Sequence, residues 1–201
     1  MIYFYNLQGY SSGQRGLTVN QLASPSGVQI PLPAPLSSKV IMKLVIRHGL
    51  SEANNRDNYG TPAFDNAESP LMPKGREQAA ALGGILAVRQ GIVLSEEPVA
   101  VSMMRRSQET AIVAGFRHLS LYPELNEEKG GLGDDEIVKA LADRRPPQAT
   151  IDAARRLIDN PPPEAIWVTH ALLIAALCQE LGVYQEDGFT SKFCEMRELP
   201  L

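Results

Sequence analysis

Short apolar runs and helically spaced apolar positions alternate along most of this chain. Ile41-Met42-Lys43-Leu44-Val45-Ile46 and Ala165-Ile166-Trp167-Val168-Thr169 read as buried strands. The first strand is expected over 41–47 and the other over 165–169, with further strands near 98–102 and 190–198 and a weaker one at 119–122. From Pro73 to about Gln90, Ala79, Leu82, Ile85 and Leu86 recur at helical spacing, although Gly83-Gly84 weakens that helix. Helices are also expected near 104–116, 148–159 and 171–181. Strands alternating with helices across short links predict an α/β fold, a mostly parallel sheet covered on both faces. Pro146-Pro147 and Pro161-Pro162-Pro163 punctuate the third quarter. The segments 50–70 and 124–147 read as lids over a site.

Residues 1 to about 40 break this pattern. They are rich in Gly, Ser, Gln and Pro and end in Pro31-Leu32-Pro33-Ala34-Pro35. Such a segment buries too little apolar surface to fold alone. Residues 1–40 are therefore expected to be a low-complexity, poorly ordered extension, and 41–201 the folded domain. The extension reads as either a real arm or the result of a start placed too early. In the first case Ile2-Tyr3-Phe4-Tyr5 would be able to add a strand to the domain or to a partner.

Composition narrows the class. A chain of 201 residues with 44% hydrophobic content suits one α/β domain with a substantial core. Net charge is -4 and no long basic run occurs, which argues against nucleic acid and anionic membrane as partners. No apolar run is long enough to span a bilayer. The start lacks a basic segment and a long apolar core, so it does not read as a signal peptide, and the expected location is cytoplasmic. Of the two cysteines, Cys178 falls on an expected helix and Cys194 on an expected strand. Both read as buried, reduced thiols outside any redox or zinc spacing.

The candidate chemistry sits at strand ends. The chain has three histidines. His48 follows the first strand and His170 follows the strand that ends at Thr169, each where a helix is expected to begin. Ligands of open α/β sheets bind at that edge, so two imidazoles can meet over one pocket. Arg47 precedes His48, and Arg106 follows another strand end. A phosphate monoester needs cations for its oxygens, a nucleophile, and a proton donor for the leaving oxygen. Arginine forks suit the first task, neutral His48 the second, and a carboxylic acid the third. His170 can donate a hydrogen bond or carry charge beside the transferring group. His118 lies outside these segments and reads as structural or surface. No cluster of Asp, His or Cys has metal-ligand spacing.

The segments LVIRHGLSEANN, SPLMPKGREQA, SMMRRSQETA, ELNEEKGG and VTHALLIAAL, in this order and spacing, resemble the histidine phosphatase superfamily, or phosphoglycerate mutase-like family, branch 1. The resemblance runs from about residue 42 to the C-terminus. It implies a three-layer α/β/α sandwich. It implies that His48 becomes phosphorylated, that Arg47, Arg106 and His170 clamp the phosphoryl group, and that Glu127 protonates the leaving oxygen and then activates water. Ser51 and Asn54 match positions that often line the pocket. The arginine of this motif falls on Arg106 rather than Arg105, counted from Ser102. Glu127 is preferred because it stands two after Leu125 and four before Gly131, but Glu124, Glu128, Asp134 and Asp135 crowd the same segment. The resemblance calls for no metal and no cofactor.

The chain also departs from the family pattern. Leu50 replaces a usual polar residue, which predicts a more apolar pocket wall there. Met72 replaces a common threonine, Glu109 a common glutamine, and Ala171 a common glycine. Ala-Leu after His170, rather than His-Asp, argues against the acid phosphatase and phytase branch. The long insertions of the cofactor-dependent mutases are missing. The expected function is thus a metal-independent phosphomonoesterase acting on a small phosphorylated substrate, as a monomer or homodimer. A phosphoglycerate mutase-type phosphotransferase is the alternative, followed by an inactive module that binds a phosphorylated ligand.

Overall fold

The structure is a computed structural model that describes residues 41–64, 66–183 and 189–201. The expected extension, including Ile2-Tyr3-Phe4-Tyr5, lies outside the described residues. A five-stranded sheet runs in the order β3-β2-β4-β1-β5. Its strands are β1 (Met42–Arg47), β2 (Pro98–Ser102), β3 (His118–Tyr122), β4 (Ile166–Thr169) and β5 (Met196–Pro200). β1, β4, β2 and β3 are parallel, and β5 is antiparallel to β1. The helices are α1 (Pro73–Arg89), α2 (Arg105–Ala114), α3 (Asp134–Ala142), α4 (Gln148–Asp159) and α5 (Ala171–Glu180).

The strand pleat divides the core in two. Ile46, Val99, Val101, Ile166 and Val168 meet Leu82, Leu86, Ala111 and Phe116 of the α1–α2 layer. Val45, Ala100 and Trp167, which alternate with them, meet Ala153, Leu157, Leu173, Ile174 and Leu177 of the α4–α5 layer. The result is an α/β/α sandwich with a phosphoglycerate mutase-like plan. Lys43 of β1 is buried, and its ammonium donates to the carbonyls of Pro162, Pro163 and Glu164 at 3.0, 3.0 and 2.9 Å. That contact fixes the proline-rich turn leading into β4.

α1 runs through Gly83-Gly84 over the expected span. Gly83 is buried where α1 meets α2, and a Cβ there would stand 2.1 Å from the Ala114 carbonyl oxygen. The residue is glycine because two backbones approach closely. The segment 124–147, read as a lid, contains an unexpected helix, α3. Gly133 N–H donates to Glu136 Oε2 at 3.0 Å, and three acidic residues occupy the first turn. Finally, Cys194 lies in a turn with φ 57° and is only half-buried, so β5 begins later than the apolar pattern suggests. Cys178 is fully buried, and both thiols are free.

Candidate active site

Parallel strands put their C-terminal ends on one edge, and that edge carries the candidate residues. Arg47 ends β1 and His48 follows it; Ser102 ends β2; His170 follows β4 and caps α5. The His48 and His170 ring centroids lie 5.0 Å apart at 59°. The turn after β1 is held tightly. Gly49 N–H donates to Thr110 Oγ1 at 2.9 Å, and Thr110 Oγ1 donates to the Arg106 carbonyl at 2.7 Å. A Cβ on Gly75 would stand 1.9 Å from the Leu50 carbonyl oxygen, so α1 closes directly on this turn.

His48 is nearly inaccessible, and its Nδ1 lies 2.7 Å from the Gly49 carbonyl oxygen. A carbonyl only accepts, so Nδ1 holds the proton and Nε2 keeps its lone pair. Burial, then Arg106 and Arg47, push the His48 pKa well below the usual histidine value, against the opposing bond to Gly49. The ring is therefore neutral at ordinary pH. His170 is fully buried and likewise pushed well down, first by burial and then by Arg106, His48, Arg47 and Lys129. Its Nε2 is 2.7 Å from Ser102 Oγ, which accepts the Met104 N–H at 3.1 Å. His170 Nδ1 is a buried atom without a hydrogen-bond partner among the described residues.

Arg106 is fully buried and donates to the Asn66 carbonyl at 3.2 Å. Arg105 instead pairs at the surface with Glu109 at 2.8 Å. Arg47 donates through Nη1 to the Ser191 carbonyl at 2.6 Å, and its guanidinium lies 3.9 Å from the centroid of Phe193. Burial lowers the Arg47 pKa to about 10, with Glu127 and Glu195 opposing, so it stays charged at neutral pH.

A cavity of about 130 Å³ opens over His48 and is lined by Arg47, Asn54, Glu127 and Lys129 on its polar side. Glu127 Oε1 accepts the Leu172 N–H at 2.9 Å, in the first turn of α5. Its competitors face elsewhere. Glu128 pairs with Arg156 at 2.8 Å, Glu124 lies in a separate hollow beside Pro161–Pro163, and Asp135 accepts from Tyr59. Ser51 is fully buried and does not line the cavity; its hydroxyl donates to Asn54 Oδ1 at 2.8 Å. Leu50 does not line it either, which corrects the expected source of an apolar wall. That wall comes from Phe64, Ile137, Leu141 and Leu172. His118 is exposed, away from the site.

Sequence reasoning missed Phe193, Phe64, Ile137 and Leu141. Helical spacing of Ile137 and Leu141 behind an acidic turn was the one available signal. Among the described residues, no group of three or more His, Cys, Asp or Glu is arranged to hold a metal, and no helix is long and apolar enough to cross a membrane.

A neutral imidazole beside two arginines, at the strand ends of a mutase-like sandwich, defines a class, and the sequence comparison agrees with it. The model of the histidine phosphatase superfamily (branch 1) matches residues 44–163, and the chain belongs to that superfamily. No curated protein matches the chain. Solved structures share the fold. TTHB049 from Thermus thermophilus is 22% identical, with 79% of this chain and 92% of that chain covered at a TM-score of 0.54. A mycobacterial glucosyl-3-phosphoglycerate phosphatase, in complex with VO3, is 22% identical over 79% and 90% of the two chains, also at 0.54. Mycobacterial hydrolase 1 is 20% identical over 80% and 91%, again at 0.54.

Proposed function

We propose that this chain is a phosphatase that hydrolyses phosphate monoesters through a phosphohistidine on His48, without a metal. The supporting observation is the Nδ1 contact with the Gly49 carbonyl, which leaves Nε2 of a neutral imidazole as the nucleophile. Nε2 attacks phosphorus, the bond to the ester oxygen breaks, and Glu127 gives that oxygen its proton. Glu127 then takes a proton from water, which attacks the phosphoryl group and breaks the P–N bond. Arg47, Arg106 and His170 stabilise the charge on the transferring oxygens, the role a metal has in other phosphatases. Asn54 orders the rim through Ser51. A name such as glucosyl-3-phosphoglycerate phosphatase on a fold neighbour agrees with a monoester substrate. The location we propose is the cytoplasm.

The test is rapid quenching of the protein with a labelled monoester in EDTA. The expected result is an acid-labile, base-stable phosphoryl adduct that maps to His48, with turnover falling by several orders of magnitude in a folded His48→Ala protein. Undiminished turnover by that variant, or dependence on an added divalent ion, would overturn the reading.

A further inference from the structure

The cavity has two chemically different sides. Arg47, His48 and Glu127 make the reacting side. The same cavity is also lined by Phe64 and, from α3, Ile137 and Leu141, with Leu172 from α5. Ile137 and Leu141 are one helical turn apart and so share one face. Ile137 is 7% exposed and Leu141 38% exposed, which makes them the floor and rim of one apolar wall.

From this lining we infer that the leaving-group subsite selects monoesters of compact alcohols with an apolar body over those of polyols. The inference rests on the phosphatase reading above. In this reading the part of the substrate beyond the phosphoryl group meets these apolar residues. An apolar body gains by leaving water there. A polyol brings several hydroxyls, and each one turned to Phe64, Ile137, Leu141 or Leu172 loses its water without a partner. The remaining polar lining is Asn54, whose Oδ1 already accepts from Ser51, with Lys129 and Thr190. A volume of about 130 Å³ restricts the choice further to small alcohols. Ligand pockets for larger molecules run to roughly 300–1,000 Å³.

Benzyl phosphate and glycerol 3-phosphate make the comparison, because both release a primary alcohol and the chemical step is similar. The expected result is a kcat/KM for benzyl phosphate higher by about 10-fold or more. Leu141→Asn and Phe64→Asn, which put a polar group on the wall, are expected to bring the ratio toward one. Leu141→Met, which keeps the wall apolar, is expected to preserve it. A ratio near one in the parent protein, or an unchanged ratio in both polar variants, would overturn the inference and leave the phosphatase reading standing. Release of phosphate from neither ester, with no phosphoryl group on His48, would overturn both.

Discussion

At Arg47, charge and orientation come from distant parts of the chain. The guanidinium belongs to the end of β1, but its plane is set by the Phe193 ring at 3.9 Å and by the Ser191 carbonyl at 2.6 Å. The ring of Phe193 is also 6.0 Å from that of His48. A planar fork binds two phosphoryl oxygens only when its plane is correctly turned. Phe193→Leu keeps an apolar residue and removes the flat face. A loss of about 1–2 kcal/mol is expected, roughly 5- to 30-fold in kcat/KM, while Phe193→Tyr retains most of it. Steady-state kinetics on a soluble monoester check this, and parent-like kcat/KM in Phe193→Leu would deny the ring its role.

At the scale of elements, α1 and α2 show how one atom decides a crossing. Two adjacent glycines have opposite surroundings. A Cβ on Gly83 would strike the Ala114 carbonyl oxygen, whereas nothing lies within 4 Å of one on Gly84. Gly83→Ala is expected to destabilise by about 1–3 kcal/mol through overpacking, even after the gain in helix propensity. Gly84→Ala is expected to stabilise by about 0.5–1 kcal/mol, because only the propensity changes. Urea unfolding of the two variants reads the contrast, and the same sign in both would show that the helices are not in this contact. The same pair shows what a sequence conceals. Adjacent glycines read as a weakness in α1 because the partner backbone, at Ala114, is invisible in the local pattern. α3 was hidden for the opposite reason: it is short, and Gly130, Gly131 and Gly133 before it suggest a loop. The strand ends were legible, because buried apolar runs stop abruptly at Arg47 and Thr169. Arg47, His48 and His170 could therefore be placed on one sheet edge. Phe193 and Phe64 could not, since neither belongs to a periodic pattern and their contacts are long-range.

For the whole molecule, burying two neutral histidines links stability to pH. Both folded-state pKa values lie well below the usual value near 6.5. Below that value the unfolded chain binds protons that the folded chain does not, so stability rises with pH there. The contribution is fully present above about pH 6.5 and is lost as pH falls below it. The expected slope is roughly 1 kcal/mol per histidine per pH unit just below that window. Urea midpoints at pH 7.5 and 5.5 measure it, with a His48→Gln, His170→Gln double variant losing less stability on acidification than the parent. Equal losses in both proteins would mean that these rings do not stay neutral.

β1, which presents Arg47 and His48, lies between β4 and β5. Leu44 pairs with Ile166 on one side and with Glu198 on the other, and Ile41 and Leu201 exchange hydrogen bonds at 2.8 and 2.9 Å. Both strand neighbours of β1 are therefore synthesised well after it. On the ribosome this apolar strand has two open edges until β4 emerges and one until β5 follows. Long-range pairing of this kind slows folding and leaves edges exposed to association. The strand that carries the candidate nucleophile is thus the one most in need of protection during synthesis, and its pairing is completed only once β5 has left the ribosome.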